Sequence, residues 1–400
     1  MKILHVLASL DPALGGPPAV AMAVASAQAT SRFPGKASAE AAGHQASILS
    51  VTPPEARSAV DEAYGDVPGS ARVRRVWIET PATFLTALCG GATEQIAAEV
   101  AASDVLHLHG VWEPWLLHAA NAARRLGKPY LVTPHGMLDE WSLGQKRLKK
   151  RVALALTHRR MLNSAAVLQM LNADEERYIS PLGLTASKQV VPNGVFLEDV
   201  DAPVKKSDVA EVVPACGGKP YVLFLSRLHY KKGLDYLAEA FRTVAEKNAD
   251  AQLVVTGPDG GARQEFESQV ADLDIADRVH VTGPQYGDAK RALLRGAACF
   301  CLPSRQEGFS MAITEAMAYR VPVVISEACH FPEVAEVGAG SVVATGDAAA
   351  TSDALLGVLS DPEAAAQQAA AGRLLVEQRY TWNRIADRFL ALYEQMIDRG

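Results

Sequence analysis

Tyr221-Val-Leu-Phe-Leu225 is a run of five apolar residues. It passes directly into Ser226-Arg227-Leu-His-Tyr-Lys-Lys232-Gly233, and a helical pattern starts at Leu234. A short apolar run bounded by turn residues and followed by a helix is the mark of a buried strand opening a βαβ unit. The loop between them carries Arg227 and Lys232, five positions apart. Together they suit one multiply charged anion such as a diphosphate: arginine offers a planar fork and lysine a mobile point charge. An isolated pair of basic residues on an ordinary exposed loop would look the same, so the pair needs company to mean more.

The company comes from a second strand-loop-helix stretch, Cys299-Phe-Cys-Leu-Pro-Ser-Arg-Gln-Glu307-Gly308-Phe309-Ser310-Met311-Ala-Ile-Thr-Glu315. Glu307 falls in the loop and Glu315 eight residues later on the helix, whose start near Gly308 and Ser310 leaves free backbone N–H groups. A carboxylate accepts hydrogen bonds from adjacent sugar hydroxyls. One before the helix and one inside it can therefore hold two sugars of one ligand, with the helix N-terminus facing phosphate between them. The plainer reading is a capping glutamate and a surface glutamate. Against it, residues 311–317 form an apolar helix that reads as buried, and buried carboxylates need partners.

Outward from these stretches the pattern repeats. Apolar runs at 3–8, 46–51, 105–109, 130–133 and 167–170 form one series of predicted strands, and runs at 221–225, 252–256, 279–282, 299–302 and 321–325 form another. Helical stretches separate them, which implies right-handed crossovers and parallel sheets covered on both faces. Four hundred residues suit two such domains better than one. Residues 197–220 are rich in charge, Pro and Gly with no strong period and read as a linker. Residues 31–45 read as a loop, and 348–371, although Ala-rich, as helix.

Near the amino terminus the first predicted strand leads into Gly15-Gly16-Pro-Pro and an alanine-rich helix, a ready place for an anion. His107 and His109 end the third predicted strand, and His135 follows the fourth inside Pro134-His-Gly136. The carboxyl ends of parallel strands border the crevice where ligands bind. A structural role stays open for the first two histidines. His135, between Pro and Gly, has few ways to bury itself and is the stronger candidate.

The chain carries a net charge of −6, which argues against non-specific nucleic-acid binding. That charge is uneven, about +3 over residues 1–195 and −9 over the rest. Between residues 142 and 160 lie Lys146, Arg147, Lys149, Lys150, Arg151, Arg159 and Arg160 with no acidic residue among them. That stretch reads either as a solvated helix face or as a patch for anionic headgroups or a lipid-diphosphate acceptor. Five cysteines without a Cys-x-x-Cys pair argue against a zinc site or a disulfide framework and suit a reducing compartment. The amino-terminal run is interrupted by His5 and lacks a cationic leader region, and no run reaches 18 apolar residues. A cytoplasmic location, with any membrane contact peripheral, is the expectation.

Taken in order, Gly15-Gly16, Asn193-Gly194-Val195, Arg227…Lys232-Gly233 and Glu307-x7-Glu315 resemble the retaining glycosyltransferases of family 4 along essentially the whole chain. Tyr380-Thr-Trp382…Tyr393 is similar to the helix that crosses back onto the first domain in that family. The resemblance implies an α/β, GT-B architecture: two facing Rossmann-like doubly wound parallel-sheet domains with an interdomain cleft. It sets an acceptor-side domain at 1–196 with helix 381–400 packed back on it, a linker at 197–218 and a nucleotide-sugar donor domain at 219–380.

By the same resemblance, Arg227 and Lys232 bind the donor diphosphate, Glu315 the ribose hydroxyls and Glu307 the donor sugar. Gly308, Phe309, Ser310 and Met311 complete the sugar and phosphate cradle through their backbone. Residues 282–286 bracket the base, and Gly15 and Gly16 approach the phosphates. His135 matches the crevice histidine near the reacting carbon, so His135, Glu307, Arg227 and Lys232 are the expected catalytic set. Two positions depart from the pattern: Ser226 replaces the commoner glycine, and Phe196 stands where an aspartate is usual.

The implied activity is hexose transfer with retention from a UDP- or GDP-linked nucleotide diphosphate sugar. The acceptor is a glycan or a polyprenyl-diphosphate-linked sugar in bacterial cell-surface polysaccharide synthesis, at the inner face of the membrane. No cofactor and no metal are expected, since no Asp-x-Asp signature lies near these loops. Two rivals remain. A sugar-nucleotide 2-epimerase of the same architecture fits Glu307-x7-Glu315 poorly, and a degenerate nucleotide-sugar-binding scaffold would not need all four charged residues.

Overall fold

The computed structural model describes residues 1–33, 43–79, 91–145, 147–203 and 209–399. Among them the chain divides into two compact units, one formed by Met1–Asn193 with Trp382–Gly400 and the other by Gly194–Thr381.

The first unit holds seven parallel strands: β1 (Lys2–Leu7), β2 (Gln45–Ser50), β3 (Arg74–Trp77), β4 (Val105–His109), β5 (Tyr130–Thr133), β6 (Val167–Met170) and β7 (Ser187–Val190). Their order across the sheet is β3-β2-β1-β4-β5-β6-β7. The central strands are buried on both faces, which is why they read as continuous apolar runs. Two strands escape that pattern. Arg74-Arg-Val-Trp77 and Ser187-Lys-Gln-Val190 lie at the sheet edges, where one side faces water and polar residues are tolerated.

The second unit holds β8 (Tyr221–Leu225), β9 (Gln252–Thr256), β10 (Val279–Gly283), β11 (Cys299–Leu302), β12 (Val323–Ser326) and β13 (Gly340–Val343). They run in the order β10-β9-β8-β11-β12-β13, again all parallel. The strand order reverses between β1 and β4 in one sheet and between β8 and β11 in the other. Such switch points open a crevice at the carboxyl ends of the strands. The loops after β8 and β11 carry the charged stretches 226–233 and 303–310.

The described residues of the stretch 197–218 are not a free linker. They form helices Leu197–Asp201 and Val209–Val212, and Val200, Val213 and Cys216 are buried in the second unit's core. Arg373 grips Asp201 through two bonds of 2.9 and 2.7 Å, and Arg295 donates to the carbonyls of Val200 and Ala202. The Arg373 guanidinium holds the Asp201 carboxyl below its usual range. Asp201, part of the charge that made this stretch look like a linker, is what Arg373 pins. Likewise 348–371 is broken by Pro362 into helices Ala348–Ser360 and Pro362–Arg379.

Helix Trp382–Arg399 belongs to the first unit, where Ile385, Phe389 and Tyr393 are buried. Cys216, Cys299, Cys301 and Cys329 are buried free thiols, and burial pushes each thiol upward. Cys89 lies outside the described residues.

Candidate functional site

The loops after β8 and β11 are fastened to each other. Gly233 takes a left-handed φ of +68°, and a Cβ there would stand 2.0 Å from the carbonyl oxygen of Pro303. Only glycine permits that approach. Arg305 completes the fastening: its guanidinium donates to Asp235 and to the carbonyl of Tyr230, its backbone N–H donates to the Lys231 carbonyl, and it lies 4.3 and 4.0 Å from the ring centres of Tyr230 and Tyr236. Sequence reasoning passed over Arg305, whose bonds hold the two loops together.

Lys232 and Glu307 meet across this junction. Lys232 Nζ is 2.5 Å from Glu307 Oε1, and the Ser304 hydroxyl donates to the same oxygen at 2.8 Å. Glu307 is buried to 9% exposure, and the ammonium gives this buried carboxyl group an ionic partner. Its Oε2 has no partner among the described residues. Glu315 is held in the same manner by Lys290, with Nζ–Oε1 at 2.7 Å. Lys290, on helix Gly287–Gly296, is a site residue the sequence reading missed, because no motif links positions 25 apart.

Arg227 is exposed and, among the described residues, no acceptor binds its guanidinium. Its stem runs along Gly260, where a Cβ would meet the side chain at 2.9 Å. The positive field of this loop shows in His229, whose imidazole is held below its ordinary range by burial first and then by Arg227, Lys231 and Lys232. Nearby, helix Met311–Ala318 begins after Ser310, whose side chain caps no amide, so the first N–H groups of the helix keep their capacity for an anion. The Phe309 ring packs toward Phe331 and Tyr380 at 5.7 and 6.1 Å. Tyr286, three residues after β10, is 76% exposed.

In the first unit Gly15 has φ +87° and precedes helix Gly16–Thr30, and nothing lies within 4 Å of where either glycine's Cβ would be. The open helix start suits an anion but is not itself a site.

The histidines are more informative. His107 and His109 occupy alternate positions of β4, so they share a face, and both are buried beside His5 of β1. Their rings pack at 4.1 Å for His107–His109 and 5.2 Å for His5–His109. His135 follows β5 in a left-handed turn with φ +51° and bonds His109 at 3.1 Å. Burial lowers every one of the four, His5 and His135 to about 4, so all are neutral imidazoles at physiological pH. The ring nitrogens of His5, His107 and His109 lie close enough to span a metal ion. Each of the six is already hydrogen-bonded within the protein.

Beyond β4, Trp112 Nε1, Glu113 Oε2 and His158 Nε2 are buried without a hydrogen-bond partner among the described residues. Burial raises the Glu113 carboxyl. A buried polar group without a partner is costly unless a ligand or water supplies one. Trp112 and Glu113 could be suspected only from their position after β4, and His158, in the helical segment Leu154–His158, carries no sequence signal.

The basic stretch divides. Lys146 lies outside the described residues. Lys150 turns inward: it donates to the Ser142 carbonyl at 2.7 Å and sits 5.3 Å from the Trp112 ring centre. Arg147, Lys149 and Arg151 stay exposed. With them are three exposed apolar residues four positions apart, Leu148, Val152 and Leu156 at 78, 50 and 76% exposure. Among the described residues no helix is long and apolar enough to cross a membrane.

Known proteins bear on these features. The family model described as "Glycosyl transferases group 1" matches residues 207–375, and that of the "Glycosyl transferase 4-like domain" matches 15–194. A phosphatidyl-myo-inositol mannosyltransferase of Mycobacterium leprae is 29% identical over 311 residues, 74% of this chain and 75% of that protein. A GDP-mannose-dependent alpha-(1-6)-phosphatidylinositol monomannoside mannosyltransferase of Mycolicibacterium smegmatis is 30% identical over 285 residues, 68% of this chain and 71% of its own length. Among solved structures, Anabaena Alr3699/HepE in complex with UDP and glucose superposes with a TM-score of 0.75 at 18% identity, covering 99% of this chain and 100% of that one.

Proposed function

The chain belongs to the group 1 glycosyltransferases, and from that membership we propose that it moves a hexose from a nucleotide diphosphate sugar to a lipid-linked or glycan acceptor with retention at the anomeric carbon. The observation that carries this reading is Arg227: a guanidinium without a protein acceptor, beside Lys232, at the carboxyl end of β8. A positive loop with one cation unspent is what a departing diphosphate requires, because preorganised charge is worth most where negative charge develops.

In the proposed step the bond from the anomeric carbon to the β-phosphate oxygen breaks, and its electron pair stays on the phosphate. The acceptor oxygen forms the new bond on the same face, and its proton passes to that phosphate oxygen. Arg227, Lys232 and the first amides of helix Met311–Ala318 stabilise the leaving group. The free Oε2 of Glu307 accepts from hydroxyls of the transferred sugar, and Glu315 from the ribose. Lys232 and Ser304 both engage Glu307 Oε1, which favours a hydrogen-bonding role for this carboxylate over a nucleophilic one. No metal is assigned a part, so turnover is expected to persist in EDTA.

For the donor, GDP-mannose is the first to try, since that substrate is in the name of a relative, with UDP-glucose second because a structural neighbour was solved with UDP and glucose. For the acceptor, the exposed Arg147, Lys149 and Arg151 around the Leu148, Val152 and Leu156 stripe support peripheral contact with an anionic membrane surface at its cytoplasmic face. The partnerless Trp112, Glu113 and His158 atoms are the polar groups offered to an acceptor's hydroxyls.

The test is thermal unfolding against UDP-, GDP-, ADP- and dTDP-sugars, with Arg227→Ala and Glu315→Ala alongside. A ligand that binds the folded chain alone raises the melting temperature, by an amount set by its concentration over Kd. A rise with one nucleotide family, lost in both variants, supports the donor site and names the base. No rise with any of them in folded protein would refute it and favour a scaffold.

A further inference from the structure

The four histidines belong to a longer chain of side chains whose direction can be worked out from donor and acceptor capacities alone. It starts at an atom that can only accept, the backbone carbonyl of Val191. Gln169 donates its amide N–H to that carbonyl at 2.6 Å, so the oxygen of Gln169 faces the other way, toward Thr133. An amide oxygen cannot donate, so the Thr133 hydroxyl gives its one proton to Gln169. With that proton used, Thr133 can only accept from His107 Nε2, 2.6 Å away. His107 is therefore the Nε2–H tautomer, and its Nδ1 is bare.

The same logic carries on across the sheet and onto the helices. A bare Nδ1 must accept, so the Tyr393 hydroxyl donates to His107 at 2.6 Å. The Tyr393 oxygen then accepts from the amide N–H of Gln28 at 3.2 Å, which turns the Gln28 oxygen toward His5. His5 donates from Nε2 at 2.8 Å and is bare at Nδ1. His109 donates from Nε2 to that nitrogen at 2.9 Å and is bare at Nδ1 in turn. His135 donates from Nε2 to His109 at 3.1 Å. Nothing among the described residues bonds to His135 Nδ1.

We propose that this chain, running from the Val191 carbonyl through eight side chains, is a positioning device that fixes His135 as the Nε2–H tautomer and presents its bare Nδ1 as an acceptor for a ligand hydroxyl. The carbonyl at one end forces every proton along the way, provided each imidazole is neutral. Which ring nitrogen of a histidine carries the proton is set by the bond the other one makes. Here that rule is applied four times in series. The members before His135 are buried, so water cannot substitute for a missing link. The hydroxyl recognised is a sugar's, a statement that rests on the transfer reading above; the tautomer does not.

The consequence is asymmetric recognition. At neutral pH His135 accepts a hydrogen bond and cannot donate one outward, so it tells a sugar hydroxyl, which can donate, from a carbonyl or ether oxygen, which cannot. Gln169, Gln28 and Tyr393 act through the other members and touch no ligand in this scheme.

The experiment uses the full-length protein labelled with 15N-histidine. Two-bond proton–nitrogen correlations distinguish a bare ring nitrogen from a protonated one, and single histidine substitutions assign the rings. At pH 7.5, without ligand, His5, His107, His109 and His135 should all show protonated Nε2 and bare Nδ1. A His135 protonated at Nδ1, or exchanging between tautomers, overturns the proposal.

Tyr393→Phe keeps the ring and removes the hydroxyl that both donates and accepts. It should leave the fold intact and mix the tautomers of His5, His109 and His135. A lowered melting temperature with the His135 tautomer unchanged would mean that the chain only packs, and would also overturn it. With donor and acceptor in hand, kcat should fall in proportion to the fraction of His135 in the wrong tautomer while KM for the nucleotide sugar holds. If transfer itself is not the activity, the tautomer result still stands or falls alone.

Discussion

Acid should weaken the first unit through its buried histidines, and His5→Gln should reveal how much one of them contributes. His5 is fully buried, and its imidazole is lowered to about 4 because burial disfavours the cation. In the unfolded chain it titrates near the ordinary 6.5. Between those values the unfolded state binds a proton that the folded state refuses. Stability therefore rises with pH across the window and is lost as pH falls below about 6.5. From pH 7.5 to pH 5 the difference for His5 alone comes to about 2 kcal/mol, at roughly 1.4 kcal/mol per unit. His107 and His109 are shifted the same way and add to the loss in the wild type.

His5→Gln removes one titrating group and keeps a polar side chain, so it starts less stable at pH 7.5 because the bonds to Gln28 and His109 are disturbed. The deficit should then shrink by about 2 kcal/mol at pH 5, where the wild type has lost what His5 supplied. All five tryptophans, Trp77, Trp112, Trp115, Trp141 and Trp382, belong to the first unit. Urea unfolding followed by tryptophan emission at pH 7.5, 6.25 and 5 thus reads that unit by itself. A deficit that stays constant across the three pH values would refute the buried-neutral account of His5.

Lys232→Met should cost about 3 kcal/mol by leaving the Glu307 carboxylate buried without its cation. Lys232→Met with Glu307→Gln should recover much of that stability in chemical denaturation while recovering no transfer, since the phosphate still lacks its ammonium. Gly233→Ala puts a side chain on a left-handed φ and into the Pro303 carbonyl. About 1–3 kcal/mol of backbone strain is the minimum expected, read as a lower calorimetric midpoint of the second unit together with weaker nucleotide-sugar binding. Lys149→Glu with Arg151→Glu should lower co-sedimentation with anionic vesicles by tenfold or more, at about 1 kcal/mol per charge near the surface. Neutral vesicles should show no such change, and equal binding of both proteins to anionic vesicles would remove the membrane reading.

The strand-loop-helix stretches were legible because each is local: a strand, its loop and the next helix sit within about twenty residues, and the chemistry lies on the loop. The same locality explains what was hidden. Lys290 answers Glu315 from another helix, and Arg305 joins two loops whose motifs each look complete without it. The edge strands Arg74–Trp77, Ser187–Val190 and Gly340–Val343 carry no apolar run, since half-solvated strands need none.

Residues 197–218 misled for the opposite reason. Asp201 looked like linker charge until Arg373, 172 positions away, was seen to hold it. The hydrogen-bond chain to His135 is the limiting case. Its signals were in view: a histidine inside the first apolar strand, two more at alternating positions of a buried one. Read singly, each is an oddity that burial should forbid. Only the fold brings Gln28 against Tyr393, 365 positions apart, and turns four costly residues into a sequence in which each satisfies the next. A polar residue inside a strand that must be buried is therefore better read as half of a pair whose other half has yet to be found.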